Sequence, residues 1–400
     1  MISSDYLIIG SGIIGMTIAL ELKQRYPKQK IILIEKEKSV AVHASGLNSG
    51  VLHAGFYYSA DSLKAKFCRD GNKLMKEFCA EKNIYVNNCG KIVVSKNKDE
   101  LIALKELYRR GKENQINVQL IDEMQLKELD PNIKTYKQAL YSPDTASVDP
   151  VEVCQQLKNE LIDNGIEIHF ETKFIDQFDN QIKTNKAYYN AQYIINSAGL
   201  YTDKIAKKFS FGHDYALIPF KGKYLKSEEK VDLNYHVYPV PDLQMPFLGI
   251  HYTMNVNKQT KIGPSSIPAL WRENYSGLTK INFSELIESS FLLVKMYLRN
   301  ANSIRSLVFK ELKKMSRKNF VQQVAHMTQN IDNTSFKIWA KPGIRAQLIR
   351  KKNSELLMDF IIEGDEKSIH MLNTISPGFT CSFAIAKYTV ELIAKYRNIN

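Results

Sequence analysis

Cysteine is scarce in this 400-residue chain, which contains five: Cys68, Cys79, Cys89, Cys154 and Cys381. The number is odd and no C-x-x-C pair occurs, so the sequence predicts neither a disulfide framework nor a zinc site. No other metal site is predicted. We expect a cytoplasmic, reducing setting, where thiols persist.

Long apolar runs are also missing. No uninterrupted stretch reaches the ~18 apolar residues that a membrane-spanning helix needs, and the amino terminus lacks the basic region of a secretory signal. We find no low-complexity tract and no internal repeat. The sequence therefore predicts a globular protein that neither is secreted nor spans a membrane, with about two to three domains for its length.

Acidic residues are too few to balance the basic ones: 42 Asp and Glu stand against 55 Lys and Arg, a net charge of +13. Such an excess favours an anionic substrate, cofactor, nucleic acid or membrane surface. Nucleic acid is not expected, since no recognition motif accompanies the charge. The basic stretch KELKKMSRKN, at 310–319, fits either a solvated helix face or a peripheral contact with the inner face of a membrane.

What the sequence does contain is a glycine-rich turn near its start. YLIIG, at 6–10, has the pattern of a buried strand, and residues 13–26 carry apolar residues at helical spacing. Gly10, Gly12 and Gly15 thus form a G-x-G-x-x-G motif between strand and helix. These glycines permit a tight turn, close approach to a pyrophosphate and close helix packing, with the helix amino terminus facing the phosphates.

An acid follows at the spacing that a nucleotide site requires. The strand-like KIILIE ends in Glu35, 20 residues after Gly15, where a carboxylate accepts hydrogen bonds from ribose hydroxyls. A second strand-like run, YIINSAG, ends in Ala198 and Gly199, small residues that let the backbone approach a ligand. We predict a dinucleotide site, for FAD or NAD, in a domain interrupted by an inserted one.

Several longer motifs occur in a characteristic order: IIGSGIIGM, LIEKE, LNSGVLHAGFYY, SLKAKFC, NCGK, YPVPDLQMPFLGIHYT, KPGIRAQ and TISPGFT. In these the chain resembles the L-2-hydroxyglutarate dehydrogenase/oxidase family, which belongs to the D-amino-acid oxidase-like flavoproteins. The resemblance runs from about residue 5 to about residue 390.

The resemblance implies an α/β fold. A discontinuous, Rossmann-like FAD-binding domain is expected at 1–85, 142–212 and 340–400, and a substrate domain with a mixed, largely antiparallel sheet at 86–141 and 213–339. The coarse patterns agree, with helices at 61–82, 98–115, within 284–328 and at 380–396, and strands within 216–226, 235–240 and 247–253.

The implied cofactor is FAD. The residues expected to contact it are Gly10, Gly12, Ile13, Ile14, Gly15, Glu35, Lys36, Ser45, Asn48, Ser49, Gly50, Phe174, Ala198, Gly199, Pro377 and Gly378. Pro377 and Gly378 begin the last helix, whose positive end would stabilise negative charge on the reduced flavin; an ordinary helix start is the alternative.

The stretch LNSGVLHAGFYY, at 47–58, is expected to cradle the flavin and deliver His53 to its reactive face. A neutral imidazole suits removal of a hydroxyl proton, because its ordinary pKa of about 6.5 lies near working pH. His251, in GIHYT, is the rival base. The alternative for His53 is a glycine-containing surface loop with a satisfied histidine, and the alternative for His251 is a polar histidine of the core.

Cations are needed for the carboxylates of an anionic substrate. Arg345, in KPGIRAQ, is expected to grip one carboxylate with its guanidinium fork; Lys221 is a candidate for the second, and Tyr238 for a further substrate contact. A surface ion pair or a solvated face is the alternative for the two cations. The family commonly has Pro-Phe-Arg-Gly-Glu-Tyr where residues 219–224 read PFKGKY, and Gln-Thr-Gly where 44–46 read ASG.

The expected reaction is FAD-dependent oxidation of a small L-2-hydroxy acid, with L-2-hydroxyglutarate leading and oxygen or a quinone as electron acceptor. The Lys221 and Lys223 departures keep open another anionic hydroxy or amino acid, including a sugar-derived one. The alternative from another functional class is a protein that binds flavin as a scaffold or redox sensor and catalyses no reaction.

Overall fold

The computed structural model describes residues 1–242, 248–300, 304–313 and 316–399. These residues form two compact units. The first comprises Met1–Asn48, Pro150–Pro219 and Arg345–Asn400, and the second comprises Ser49–Asp149 and Phe220–Ile344. Both units are therefore assembled from segments distant in the chain.

The strands are, in chain order, β1 (Ile2–Ile9), β2 (Ile31–Ile34), β3 (Val51–Leu52), β4 (Lys91–Val94), β5 (Gln119–Asp122), β6 (Gln138–Ser142), β7 (Ala146–Ser147), β8 (Glu167–His169), β9 (Phe174–Phe178), β10 (Gln181–Thr184), β11 (Tyr188–Asn196), β12 (Tyr215–Gly222), β13 (Leu225–Ser227), β14 (His236–Pro239), β15 (His251–Met254), β16 (Thr260–Gly263), β17 (Ile267–Pro268), β18 (Phe336–Trp339), β19 (Gly343–Arg350), β20 (Ile361–Gly364) and β21 (Ser368–Asn373). The helices are α1 (Ile13–Arg25), α2 (Leu63–Glu81), α3 (Lys98–Glu113), α4 (Glu123–Leu129), α5 (Pro150–Asp163), α6 (Thr202–Lys208), α7 (Phe283–Arg299), α8 (Ile304–Lys313), α9 (Arg317–Gln322) and α10 (Gly378–Arg397).

The first unit is built on a largely parallel sheet with the strand order β20-β21-β11-β1-β2-β8. β1, β2, β8, β11 and β21 run parallel, β20 is antiparallel to β21, and the β9–β10 hairpin extends from β11. β2 is buried at every position, which explains its continuous apolar sequence, since parallel sheets are covered on both faces. The expected interrupted α/β domain is confirmed.

The last helix packs against the first one. The Thr17 hydroxyl of α1 donates to the carbonyl of Ser382 in α10 at 3.1 Å, and both residues are buried. α10 begins two residues before the predicted start and ends one residue after the predicted end. Small residues on its buried side permit this close approach of two helices.

The second unit contains a mixed sheet with the strand order β18-β13-β16-β15-β14-β4-β6-β5. β14 and β4 run parallel, whereas the other neighbouring strands of this sheet are antiparallel. The expected mixed, largely antiparallel sheet is confirmed. α2 and α3, close to the predicted helices, begin at the side-chain caps Ser62 and Asn97, as polar residues at such positions favour.

The domain boundaries differ from our expectation at residues 49–85, which we assigned to the cofactor domain and which belong to the second unit. Two contacts explain the difference. β3 pairs with β7, and the Asn72 side chain of α2 donates to the carbonyls of Leu52, His53 and Asp144. Smaller shifts occur at 142–149, 213–219 and 340–344.

Part of the predicted membrane-contacting stretch at 310–319, Lys314 and Met315, lies outside the described residues, as do residues 243–247 of the YPVPDLQMPFLGIHYT motif. Among the helices that the structure describes, none combines the length and the apolar character that crossing a bilayer requires.

Candidate active site

The turn between β1 and α1 accepts only glycine at two positions. Gly10 has a φ of +102°, and a Cβ there would lie 2.8 Å from the Ser197 carbonyl oxygen. A Cβ on Gly15 would lie 2.1 Å from the Gly10 carbonyl oxygen. Both distances are far below contact, so the glycines are required for the turn itself to close.

The amino terminus of α1 follows this turn directly. Gly12 is the N-cap residue and offers no side chain, but the Ser45 hydroxyl accepts a hydrogen bond from the Ile13 N–H at 2.9 Å. The first turn contains no acidic residue, so the positive end of the helix has no anion of its own there. Because the Ile13 and Ile14 side chains are buried, a ligand would meet their backbone.

Glu35, at the end of β2, is held against the same turn. One carboxylate oxygen accepts hydrogen bonds from the Ser11 N–H and hydroxyl at 3.0 and 3.1 Å, and the other accepts one from the Glu37 N–H at 3.0 Å. These bonds fix the orientation of a half-exposed carboxylate, whose two oxygens retain further lone pairs for ribose hydroxyls.

Other expected cofactor contacts lie in the first unit with varied partners. Lys36 pairs with Glu37 and contacts His43, so its ammonium is engaged by the protein. Asn48 donates to the Ala44 and Ser45 carbonyls at 3.1 and 2.7 Å. The remaining residues of this group are Phe174 on β9, the small pair Ala198 and Gly199 after β11, and Pro377 and Gly378 at the start of α10.

Gly199 and Gly378 differ from the glycines of the first turn, because a Cβ at either position would meet nothing within 4 Å. Both stand in open space at the end of β11 and the start of α10. Together with the glycine turn, the acid-free helix terminus and the fixed Glu35 carboxylate, this arrangement fits a dinucleotide with its pyrophosphate at α1.

The second unit contains the rest of LNSGVLHAGFYY. Gly50 and Gly55 have φ values of +76° and +103°, so both ends of the bend around β3 adopt conformations that favour glycine. Ser49 accepts a hydrogen bond from the Val51 N–H at 3.3 Å. The Gly50 carbonyl accepts one from Val148 at 2.9 Å, which anchors the stretch at its start.

His53 is buried and its backbone is held by α2. Its carbonyl accepts hydrogen bonds from the Cys68 thiol and the Asn72 amide, both at 3.2 Å. Its Nδ1 lies 3.4 Å from the Nζ of Lys91. Burial, with the nearby charge of Lys91, holds the pKa of His53 well below its ordinary value, so the imidazole is neutral at physiological pH.

His251 lies in β15 and stacks on Tyr238, with ring centroids 3.6 Å apart and an interplanar angle of 16°. Its Nδ1 lies 2.7 Å from the Gly249 carbonyl oxygen. A carbonyl only accepts, so Nδ1 carries the proton and Nε2 carries the lone pair in the neutral ring. Burial raises the pKa of Tyr238, which therefore remains a phenol.

The structure adds two residues that the sequence did not single out, Lys91 and His236. Lys91 is fully buried, and its Nζ lies 4.3 Å from the centroid of the Tyr238 ring. His236 accepts a hydrogen bond from the Met254 N–H and lies 3.3 Å from the Cys89 thiol. In the sequence, Lys91 could have been recognised as the charged first residue of the otherwise apolar run KIVV.

The two expected substrate cations have different surroundings. The Lys221 ammonium of β12 lies 3.0 Å from the Asn274 side-chain oxygen, and partial burial followed by repulsion from Lys223 lowers its pKa. The partner of Lys221 is thus the neutral amide of Asn274, which leaves the charge of Lys221 available to an anion. Arg345 is half-buried in β19 and belongs to the first unit.

Comparison with known proteins decides the family. The model of the family described as FAD dependent oxidoreductase matches residues 5–392. The chain belongs to this FAD-dependent oxidoreductase family. Its cofactor is FAD, and the glycine turn, α1 and Glu35 fit that dinucleotide.

Relatives within the family match over almost the whole chain. An L-2-hydroxyglutarate dehydrogenase of Indibacter alkaliphilus is 35% identical over 97% of this chain and 98% of its own. The mitochondrial L-2-hydroxyglutarate dehydrogenase of Dictyostelium discoideum is 32% identical over 99% of this chain and 94% of its own. Among solved structures, the FAD-bound L-alpha-glycerophosphate oxidase of Mycoplasma pneumoniae superposes with a TM-score of 0.76 at 24% identity, over 98% of this chain and 95% of that one. This structural likeness supports the fold alone.

Proposed function

We propose that this chain oxidises L-2-hydroxyglutarate to 2-oxoglutarate. The observation that carries the proposal is the 35% identity, over nearly both full lengths, to a relative named L-2-hydroxyglutarate dehydrogenase. A second relative of the same activity, from a eukaryote, is 32% identical over 99% of this chain. Such similarity over the whole length includes the substrate unit as well as the cofactor motif.

FAD supplies the two-electron oxidant when bound. The first unit would hold it: the α1 terminus behind Gly12 would meet the pyrophosphate, and Glu35 would meet the ribose. Gly199 and Gly378 offer open backbone for close approach. The positive end of α10 supports negative charge on the reduced cofactor.

His53 removes the substrate hydroxyl proton. A neutral imidazole is required for this step, and burial keeps the pKa of His53 low enough to supply it. Two hydrogen bonds to its carbonyl fix the backbone, which limits the positions the ring can take. His251, whose Nε2 carries a lone pair, is the alternative base.

Arg345 and Lys221 bind the substrate carboxylates. The planar guanidinium of Arg345 matches one carboxylate with two parallel hydrogen bonds. Lys221 carries a charge that Asn274 orients but does not neutralise. Tyr238, buried beside His251, limits the space on that side of the site.

The test is the visible spectrum of the purified protein before and after anaerobic addition of L-2-hydroxyglutarate. We expect the flavin to bleach within the mixing time of a manual experiment and 2-oxoglutarate to form in equal amount. D-2-hydroxyglutarate is the matched control and should leave the spectrum unchanged. Bleaching by another acid, with none by L-2-hydroxyglutarate, would contradict the proposal.

A second candidate substrate class is another anionic hydroxy or amino acid. Lys221 and Lys223 give this chain two cations within residues 219–224, which favours a substrate with more negative charge than a dicarboxylate. A panel of hydroxy acids, including sugar-derived acids, distinguishes the two classes by kcat/KM. Oxygen and a quinone analogue, offered to the reduced enzyme, identify the acceptor.

We further propose a peripheral contact with an anionic membrane surface through α7. Five apolar side chains on one face of this helix are each more than half exposed: Phe283, Ile287, Phe291, Val294 and Leu298. Their spacing places them in one stripe, opposite the buried residues of the same helix. Isolated exposed apolar residues are ordinary, whereas a continuous stripe marks an interaction surface.

The charges around this stripe favour lipid as the partner. Lys280, which pairs with the buried Glu273, and Arg299 are exposed near the two ends of the helix, whereas Glu285 is buried and Glu288 lies 4.0 Å from Arg272. Positive groups beside an apolar face suit an anionic membrane and disfavour pairing with a second copy of the same face. Flotation with phosphatidylglycerol vesicles should carry the protein, and Ile287→Ser with Phe291→Ser should prevent it. Concentration-dependent dimerisation lost in the same variant would instead assign the stripe to a protein interface.

The five cysteines are free thiols in the described structure, which is compatible with the reducing compartment that we propose.

A further inference from the structure

Lys91 is a fully buried lysine of the second unit. Its backbone pairs with His236 of β14 on one side and with Ser142 of β6 on the other, so it sits within the sheet. Its exposed fraction is 0%, and within the part of the chain that the structure describes no carboxylate pairs with it. An ammonium buried in this way is costly, and proteins rarely retain one without a use.

Aromatic rings surround the amino group. The Nζ lies 4.3 Å from the centroid of Tyr238, 5.2 Å from that of Tyr57 and 5.6 Å from that of Phe56. Among the described residues, the polar atom within hydrogen-bonding distance is Nδ1 of His53, at 3.4 Å. The side chain of Lys91 therefore has one polar partner, and that partner is the proposed base.

We propose that Lys91 is a positioning residue that accepts the Nδ1 proton of His53, so that His53 relays the substrate proton instead of retaining it. This inference rests on the proposed oxidation of a hydroxy acid. A neutral amine at Nζ accepts a hydrogen bond from Nδ1–H, which places the imidazole lone pair on Nε2. Nε2 is then the basic atom that the substrate hydroxyl meets.

The proton transfers balance. The substrate O–H bond breaks as an N–H bond forms at Nε2 of His53. The Nδ1–H bond of His53 breaks as an N–H bond forms at Nζ of Lys91, which turns the amine into an ammonium. His53 ends neutral, and the substrate Cα–H bond breaks in the same oxidation, its hydrogen leaving with the electron pair as a hydride for which FAD is the acceptor. Without the relay, a buried imidazolium would have to persist.

The titration of the surrounding groups supports this role. Burial lowers the pKa of Lys91 to about 7, against the opposing influence of the Cys68 and Cys89 thiols. Burial also lowers the pKa of His236 to about 3 and raises that of Cys89 to about 11. Those two groups and the Tyr238 phenol stay neutral near pH 7, so Lys91 is the member of this cluster that changes charge there.

Two substitutions separate proton acceptance from a fixed charge. Lys91→Met removes the amine and keeps the length of the chain, whereas Lys91→Arg keeps a positive charge that does not titrate. We expect either variant to retain FAD and to slow anaerobic flavin reduction by ~10- to 100-fold, a smaller loss than the ~10²- to 10⁴-fold that removal of a general acid or base causes, because His53 remains. Reduction by the wild type should rise with pH around 7, and both variants should lack that rise.

Lys64→Met is the matched control, because Lys64 is a buried lysine of the same unit whose Nζ lies 5.7 Å from the Tyr58 ring. It should keep the wild-type pH profile. A Lys91→Arg enzyme with a near-normal rate would overturn the proposal, since it would show that only the charge is needed. An unaltered pH profile in Lys91→Met would overturn it as well.

A measurement without substrate tests the titration independently of the reaction. The lysine holds its proton up to about pH 10.5 in the unfolded state and up to about pH 7 in the folded state. Between these values the unfolded state therefore binds more protons. The thermal unfolding midpoint of the FAD-loaded protein should accordingly rise with pH across that window. Lys91→Met should lose this component, and Lys64→Met should keep it. If Lys91→Met does not fold, a flat wild-type curve between pH 7 and 10 overturns the proposal. If the component is present and no hydroxy acid reduces the flavin, the proposed function has failed and the titration stands.

Discussion

The candidate cofactor site and the buried cluster around His53 are built in opposite ways. In the first unit, Gly10, Gly12, Gly15 and Glu35 lie within a span of 26 residues, and the contacts that shape the turn are largely made by backbone atoms. In the second unit, the cluster consists of side chains from positions as far apart as His53 and His251, brought together by strand pairing.

This difference explains what each site depends on. A backbone cradle is fixed by local conformation and leaves no room for added side chains. It therefore tolerates substitutions only at positions where an added side chain would meet open space. A side-chain cluster depends on burial, which removes water and shifts the pKa values of its members. In the proposed function, the first type would bind the cofactor by shape and dipole, and the second type would provide groups that hold and move protons.

The largest effect is expected for His53→Asn, which removes a proton acceptor and leaves the first unit untouched. FAD should remain bound, while anaerobic flavin reduction measured by stopped flow should slow by ~10²- to 10⁴-fold. His251→Asn is the comparison variant in the same cluster. Should His251→Asn abolish reduction while His53→Asn reduces flavin at a near-normal rate, the roles of the two histidines are exchanged.

Gly15→Ala tests whether the glycine turn between β1 and α1 is required for the stability of the protein. The new Cβ would lie 2.1 Å from the Gly10 carbonyl oxygen and 2.5 Å from the Ser197 hydroxyl. We expect the free energy of unfolding of the FAD-free protein to fall by about 3 kcal/mol, the cost of severe overpacking, as measured by urea denaturation. Gly378→Ala is the control, because it adds a methyl in open space. Equal stability of the two variants would mean that the turn rearranges freely.

Arg345→Lys tests recognition of the substrate carboxylate. The charge persists but the paired hydrogen bonds are lost. We therefore expect kcat/KM to fall about 30-fold, which corresponds to a loss of about 2 kcal/mol in transition-state binding. Arg350→Lys, the same change at the other end of β19, should leave kcat/KM unaltered. An unchanged kcat/KM in Arg345→Lys removes this arginine from the site.

Ser45→Ala is expected to have the smallest effect. It removes the acceptor of the Ile13 N–H and should cost about 1 kcal/mol of stability, as loss of a helix cap does. Ser62→Ala removes the corresponding cap of α2 in the second unit and should cost about the same. Only Ser45→Ala should weaken FAD binding, measured by fluorescence titration; equal affinities in both variants would show that the α1 terminus does not hold the cofactor.

The sequence predicted the parts of this molecule whose signals are local. The strand, glycine turn and helix at residues 6–26, the helices α2 and α3, and the closing helix α10 follow from residue spacing and caps. Lys91 and His236 were missed because they become neighbours only through the parallel pairing of β4 with β14. That register depends on the whole sheet, and no spacing in the sequence encodes it.

The boundary at residue 49 was missed for a related reason. LNSGVLHAGFYY follows the cofactor motif closely in the chain, which suggested that it belongs to the same domain. Its attachment to the second unit depends on Asn72 and on the pairing of β3 with β7, in which Val51 lies opposite Ser147, 96 residues later in the chain. Proximity in sequence was therefore a poor guide to the unit.

The packing of α10 against α1 has a consequence for the order in which the protein matures during synthesis. The segments of the second unit end at Ile344, so that unit is completely translated while the final segment is still within the ribosome. β21 and α10 follow Ile344 in the chain, so the first unit is still incomplete when every segment of the second unit has been synthesised. A nascent chain should thus complete the second unit before it is able to retain FAD.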